Sequence, residues 1–233
     1  MVLPRKNVAQ GLLFLPPVLV SVLLFFVCGA SGVSALSIGM LSSFAFCDVW
    51  YFLRMGFDTL RPAPRGSRKH LFAVSRIKGR IGLMDIDRNG HCNNARFLRE
   101  CGFGRRDLWQ HNGVWKVVTA SGGNLIVGSQ TVRYRRELRF GQTYTLESRL
   151  ICWNARAFYV EHRFVTQDVM GYFVNAIVLV KNIVIGALEP AQIIAKLPVL
   201  QSDEENNPPM PVDVLRWLES NEASSKMLRA ETT

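Results

Sequence analysis

The chain has 233 residues, 28 Lys and Arg against 18 Asp and Glu, and a formal net charge of +10. That length suits one domain with a full core plus extensions. The basic balance is not a nucleic-acid signal, because no zinc knuckle, RNP motif or basic heptad helix accompanies it; an anionic membrane surface or an acidic ligand is the more economical partner.

The N-terminal segment is free of charge. After Arg5 and Lys6 the next charged residue is Asp48, and the stretch between is mostly apolar. Residues 8–28 and 33–53 are each long enough for a membrane span. One or two membrane helices are therefore predicted within residues 1–54, followed by a basic linker at 55–69. Trp50, Tyr51 and Arg54 have the make-up of an interfacial end. Residues 54–80 carry many Lys and Arg against Asp58 alone, which places the folded domain in the cytosol by the positive-inside rule. The rival is a signal peptide cleaved near CGASGVSA, giving a secreted protein. The apolar run continues well past that point, which argues for an anchor.

Five cysteines, Cys28, Cys47, Cys92, Cys101 and Cys152, show no CxxC and no paired spacing. They do not form an extracellular disulfide framework. Cys101 and Cys152 read as small buried residues.

Residues 70–195 have the composition of a compact α+β domain. HLFAVSRI (70–77) predicts a strand. A helix is predicted over 93–111, with Asn93 or Asn94 as its cap, although Gly102 and Gly104 weaken its middle. Strands follow at 123–138, 143–154, 157–166 and 171–185, with turns at 138–144 and 166–172. The last reads as a longer, more central strand. The expected layout is a curved antiparallel sheet over a single helix. Residues 196–233 read as a Pro-rich linker and a C-terminal helix, whose Leu215, Trp217, Leu218, Met227 and Leu228 either dock on the domain or stay solvated.

The most informative stretch is MDIDRNGHCNNARFL (84–98), a polar loop before the predicted helix. Asp85, Asp87, Asn89 and Gly90 match the first half of an EF-hand loop, but its twelfth position is Arg96, and no helix pattern precedes it. A hydrolytic site is the other chemistry for such a pattern. Thioester cleavage needs a group that activates water or attacks the carbonyl, and donors where the oxyanion grows. A helix N-terminus supplies both free N–H groups and the positive end of a dipole.

This loop, the helix behind it and VRYRRELRFGQTYTLESRL resemble the hotdog-fold thioesterases of the 4-hydroxybenzoyl-CoA type, over about residues 70–190. The likeness extends to one branch, the thioesterase superfamily member six proteins, in DVWY (48–51), NNARFLRE (93–100), RAFYVEHRFV (156–165) and NEASS (221–225). The resemblance implies a hotdog fold and a membrane-associated acyl thioesterase of the endoplasmic reticulum. It would act on acyl-CoA or a related acyl thioester in lipid metabolism, as a homodimer or higher oligomer, and needs no cofactor or metal. Asp87 becomes the nucleophile or general base, Asn89 the group orienting water or carbonyl, and His91 the proton-transfer partner. Each has a plainer reading as a turn residue or a buried histidine. Asn93 and Asn94 read as caps, and Glu100 as structural. Arg133, Arg135 and Arg136 could reach CoA phosphates. The residue that many hotdog enzymes take from a partner subunit has no candidate here, so a catalytically weak acyl- or partner-binding module is the alternative.

Overall fold

The computed structural model describes residues 15–46, 48–60, 70–168, 171–197 and 207–231. The chain divides into two units, Met1–Pro62 and Ala63–Thr233. In the first, α1 (Leu15–Phe26) and α2 (Gly32–Phe46) carry no charged residue and pack against each other. Gly29, at φ 65°, turns the chain out of α1, and the Ala30 N–H donates to the Leu24 carbonyl at 3.0 Å. This is the left-handed glycine exit that satisfies a helix's last carbonyls.

The third helix, α3 (Val49–Leu60), opens on Asp48, whose Oδ1 accepts from the Tyr51 N–H at 3.2 Å. That cap corrects the expectation of one continuous span over 33–53, because α2 is described to Phe46 and a new helix begins at Val49. The start of the other predicted span, residues 8–14, lies outside the described residues. No described helix is long and apolar enough to cross a membrane. Residues 55–60 of the expected linker belong to α3.

The second unit holds a five-stranded antiparallel sheet in the order β1-β3-β4-β5-β2. Its strands are β1 (Ser75–Arg80), β2 (Asn124–Tyr134), β3 (Thr143–Trp153), β4 (Ala157–Asp168) and β5 (Gly171–Ile185). β5 is long and interior, as expected, paired with β4 on one side and the edge strand β2 on the other. Register shifts between Val127 and Ser129, Leu150 and Cys152, and Phe164 and Val165 bend the strands.

The long helix α4 (Asn94–His111) packs on β3, β1 and β4. At one end its Leu108 and Trp109 pack with Val114, Phe158 and Ile193. At the other its Phe97 and Cys101 pack with Leu146, Phe164 and Val178. Gly104 is not a weak point in α4. A Cβ there would meet Ser148 Oγ at 2.5 Å, so the helix touches the sheet only because this position is bare.

Two short helices join α4, contrary to the single-helix expectation. α5 (Val114–Ala120) starts from Gly113 at φ 83°, with Asn112 Oδ1 accepting from the Val114 N–H at 3.1 Å. α6 (Pro190–Ala195) begins on a proline, which suits a first helical turn. The C-terminal helix α7 (Val212–Glu231) covers another cluster, in which Val214, Trp217 and Leu218 meet Cys152, Tyr159 and Leu179. Leu215, Met227 and Leu228 remain exposed, so the docking expectation holds for only part of that set.

Candidate active site

The polar loop closes on itself before α4 begins. Ile86 pairs with Cys92, the Asp87 N–H donates to the His91 carbonyl at 3.0 Å, and the Gly90 N–H donates to the Asp87 carbonyl at 3.0 Å. Gly90, at φ 76°, supplies the left-handed residue of this turn. Asp87 Oδ1 accepts the Asn89 N–H at 2.8 Å and stands 3.7 Å from His91 Nδ1. The loop is fastened from behind, where the Cys92 N–H donates to the Leu138 carbonyl at 2.7 Å and His91 pairs with Arg139.

The loop thus brings Asp87 and His91 together, both half-buried and both reachable from solvent. Asn89 joins them only through its backbone, since its residue is exposed at the turn tip. Asp85 faces away from this pair. Its carboxylate takes Arg99 Nη2 at 3.0 Å and the Gly82 N–H at 3.0 Å. Arg99 also lies 3.5 Å from the buried Glu100, which accepts from Tyr144 Oη at 3.2 Å. Asp85 and Glu100 therefore belong to the supports of the loop.

At the helix entry the Asn93 N–H donates to the Asp85 carbonyl, and Asn93 Oδ1 accepts from the Ala95 N–H at 2.9 Å. Asn93 is therefore the cap, and Asn94 is the first helical residue. The Arg96 N–H is used by the Asn93 carbonyl. The Asn94 N–H makes no bond among the described residues. It is the open donor at the positive end of α4.

His91, Asn94, Tyr134, Arg135 and Arg136 border one groove of about 280 Å³. Tyr134 Oη donates to the Asn94 carbonyl at 3.0 Å, and partial burial raises its pKa, so it remains a neutral phenol. Arg136 and Arg135 stand 3.5 and 5.0 Å from the centre of the Phe173 ring. Arg133 is not on this groove. Cys92 is, but burial, helped by Asp85 and Glu100, pushes its thiol up to about 12. It is no thiolate nucleophile. Sequence reasoning missed Tyr134, which sat unnoticed among the arginines of the same strand.

The thioesterase-like superfamily model matches residues 81–218, a range that takes in the loop, α4 and the whole sheet from β2 onward. The chain belongs to the thioesterase-like superfamily. Within this hotdog superfamily it is 32% identical to Protein THEM6 of Xenopus laevis over 199 residues, 85% of this chain and 93% of that protein. It is 35% identical to Protein THEM6 of Danio rerio over 195 residues, 83% of this chain and 93% of that protein. Its fold also resembles that of 4-hydroxybenzoyl-CoA thioesterase from Pseudomonas, at 15% identity and a TM-score of 0.44, over 52% of this chain and 97% of the other. As a thioesterase-like chain it places the residues of its polar loop at a helix mouth beside an open groove.

Proposed function

We propose that the protein is a membrane-associated acyl thioesterase that hydrolyses fatty acyl-CoA or a related acyl thioester. The observation that carries this is the groove lined by His91 and by Asn94 with its open N–H, with Asp87 Oδ1 standing 3.7 Å behind His91 Nδ1. In this reading the thioester carbonyl lies over the N-terminus of α4. Asp87 attacks it or takes the proton of an attacking water, the Asn94 N–H receives the developing oxyanion, and His91 hands a proton to the leaving thiolate. Arg135 and Arg136 supply positive charge on the side where CoA phosphates would lie. A second copy of the chain would close the groove in a homodimer or higher oligomer.

Membrane association is supported by the first unit. Leu19, Phe26, Leu36 and Leu41 are exposed on two charge-free helices. Trp50 and Phe57 are exposed on α3, which also carries Arg54 and Asp58. Such a surface suits lipid rather than water. We place it at the endoplasmic reticulum with the domain facing the cytosol, in lipid metabolism. A second reading, an acyl-binding module with little turnover, is favoured by one feature. Asp87 Oδ1 already serves its own turn through Asn89.

The test is thiol release by the full chain in detergent micelles, over acyl-CoAs from short to long, with Asp87→Asn alongside. Turnover that collapses in the variant supports the enzyme. Equal, background-level release from both proteins, each folded, would leave the binding module.

A further inference from the structure

The groove at the polar loop has two walls, and a hydrogen bond crosses between them. One wall is the mouth of α4, with Asn94 and its open N–H. The other is the end of β2 and the segment that follows it, Tyr134 to Glu137. Tyr134 Oη donates to the Asn94 carbonyl at 3.0 Å, across forty residues of sequence.

This bond does not build either wall. The segment after Tyr134 is held from the sheet by Asn175, which is fully buried. The Asn175 carbonyl accepts the Arg135 and Arg136 N–H groups at 2.8 and 3.1 Å. Its side chain accepts from Thr166 Oγ1 at 2.8 Å and donates to the Glu137 carbonyl at 3.4 Å. One residue further, the Leu138 carbonyl takes the Cys92 N–H. The helix start has its own cap in Asn93. The Tyr134 ring stands edge-on to Phe97 at 5.3 Å, a contact that needs no hydroxyl. Tyr134 is 39% exposed, so water competes for its hydroxyl and the bond adds little to folding. What the hydroxyl does set is the spacing of the two walls.

We propose that Tyr134 clamps the groove and is a positioning residue for thioester hydrolysis. The second half of this rests on the thioesterase reading. Acting through Asn94, Tyr134 holds the oxyanion donor at a fixed distance from Arg135 and Arg136, which follow it directly in the chain and take the CoA end. The acyl carbonyl and the CoA sulfur are bonded to each other, so walls that drift apart pull the carbonyl off its donor. A misplacement of about 1 Å can cost as much as about 10²-fold in rate. The phenol itself moves no proton, because its hydrogen is committed to the Asn94 carbonyl.

The test is Tyr134→Phe in the full chain in detergent micelles. It keeps the ring on Phe97 and removes only the hydroxyl. The kcat for acyl-CoA hydrolysis is expected to fall about tenfold at unchanged KM, because alignment with the donor matters only where charge develops. The melting temperature is expected to hold, and the pH profile of kcat to keep its shape. Hydrogen exchange at the amides of the first turn of α4 is expected to quicken, as the mouth opens locally.

An unchanged kcat would overturn the proposal. So would a loss of kcat matched by a fall in melting temperature, which would make the hydroxyl structural. Loss of the alkaline limb of the pH profile would also overturn it, by making the phenol the acid. A wild type that releases no thiol would instead end the thioesterase reading, and exchange would then decide alone. Quickened first-turn amides would leave Tyr134 as the clamp of a binding groove, and unchanged exchange would remove that role too.

Discussion

Two polar clusters touch α4, and they are made of similar residues. At its mouth, Asp87, Asn89 and His91 come from one loop and lie within five residues of sequence. Under its middle, Ser75, Asp107, Ser148 and His162 come from four elements, β1, α4, β3 and β4. Ser75 faces Ser148 in one strand pair, and Ser148 faces His162 in the next. Ser75 Oγ donates to Asp107, and Ser148 Oγ shares a 2.7 Å hydrogen bond with His162 Nδ1.

The difference is access. The side chains of Asp87 and His91 keep 24% and 29% of their surface, while Ser148 and His162 keep none. Burial, with the positive Arg105 nearby, holds His162 well below its ordinary pKa, so the imidazole is neutral. A histidine beside a hydroxyl is therefore no sign of catalysis when helix and sheet seal it. In the loop pair both side chains keep exposed surface and His91 lines a groove, and that makes chemistry available to it.

The sharpest separation of the two clusters is Asp87→Asn. Turnover of acyl-CoA should fall about 10²–10³-fold. Asparagine keeps the oxygen that accepts the Asn89 N–H, so the turn survives and the melting temperature should not move. Thiol release and a thermal melt on the same sample decide this. A parallel loss of stability would return Asp87 to the role of a turn residue.

Gly104→Ala should do the reverse. On a solvated helix the change would stabilise by about 1 kcal/mol. Here the new methyl meets Ser148 Oγ at 2.5 Å and Leu146 Cδ2 at 3.0 Å. The net effect should be a loss of about 1–3 kcal/mol, read from urea unfolding. A gain in stability would show that the seam between helix and sheet has slack.

The same seam should make folding sensitive to acid. The folded pKa of His162 lies below its unfolded value of 6.5. The unfolded chain therefore binds the extra proton first as pH falls. The contribution of this residue is intact above about 6.5 and is lost as pH drops from there toward the folded pKa, at no more than about 1.4 kcal/mol per pH unit. Urea midpoints between about pH 5 and 7.5 should show this slope, and His162→Gln should flatten it. A slope unchanged in the variant would assign the effect to other groups.

These contrasts explain what the sequence disclosed. The loop cluster is local, so its spacing was legible at once, and so was the alternation of TYTLESRLICW that became β3. The seam was not legible, because register between β1, β3 and β4 brings its parts together across more than seventy residues. Gly104 looked like a flaw in a helix for the same reason, its contact being on another element. α5 escaped notice because VWKVVTA is rich in β-branched residues; its start is set by the left-handed Gly113 and by the Asn112 side chain, which accepts from the Val114 N–H. Strand order was also beyond local pattern. β5 has the composition of an interior strand and is one, but nothing in its own residues says that β2 crosses over to pair with it.

Asn93 is where the two regions are coupled, and it supports the smallest of these effects. Its side chain caps α4, while its N–H ties the helix start to Asp85 in the loop. Asn93→Ala removes the cap and leaves the backbone bond. Stability should fall by about 1 kcal/mol. If the Asn94 N–H is the oxyanion donor, fraying the first turn should also lower turnover without moving substrate affinity, because the donor acts on charge that grows only in the transition state. A drop in kcat at constant KM would tie the helix mouth to the chemistry. A stability loss with kcat intact would separate them, and would shift the oxyanion contact to a residue beyond the first turn of α4.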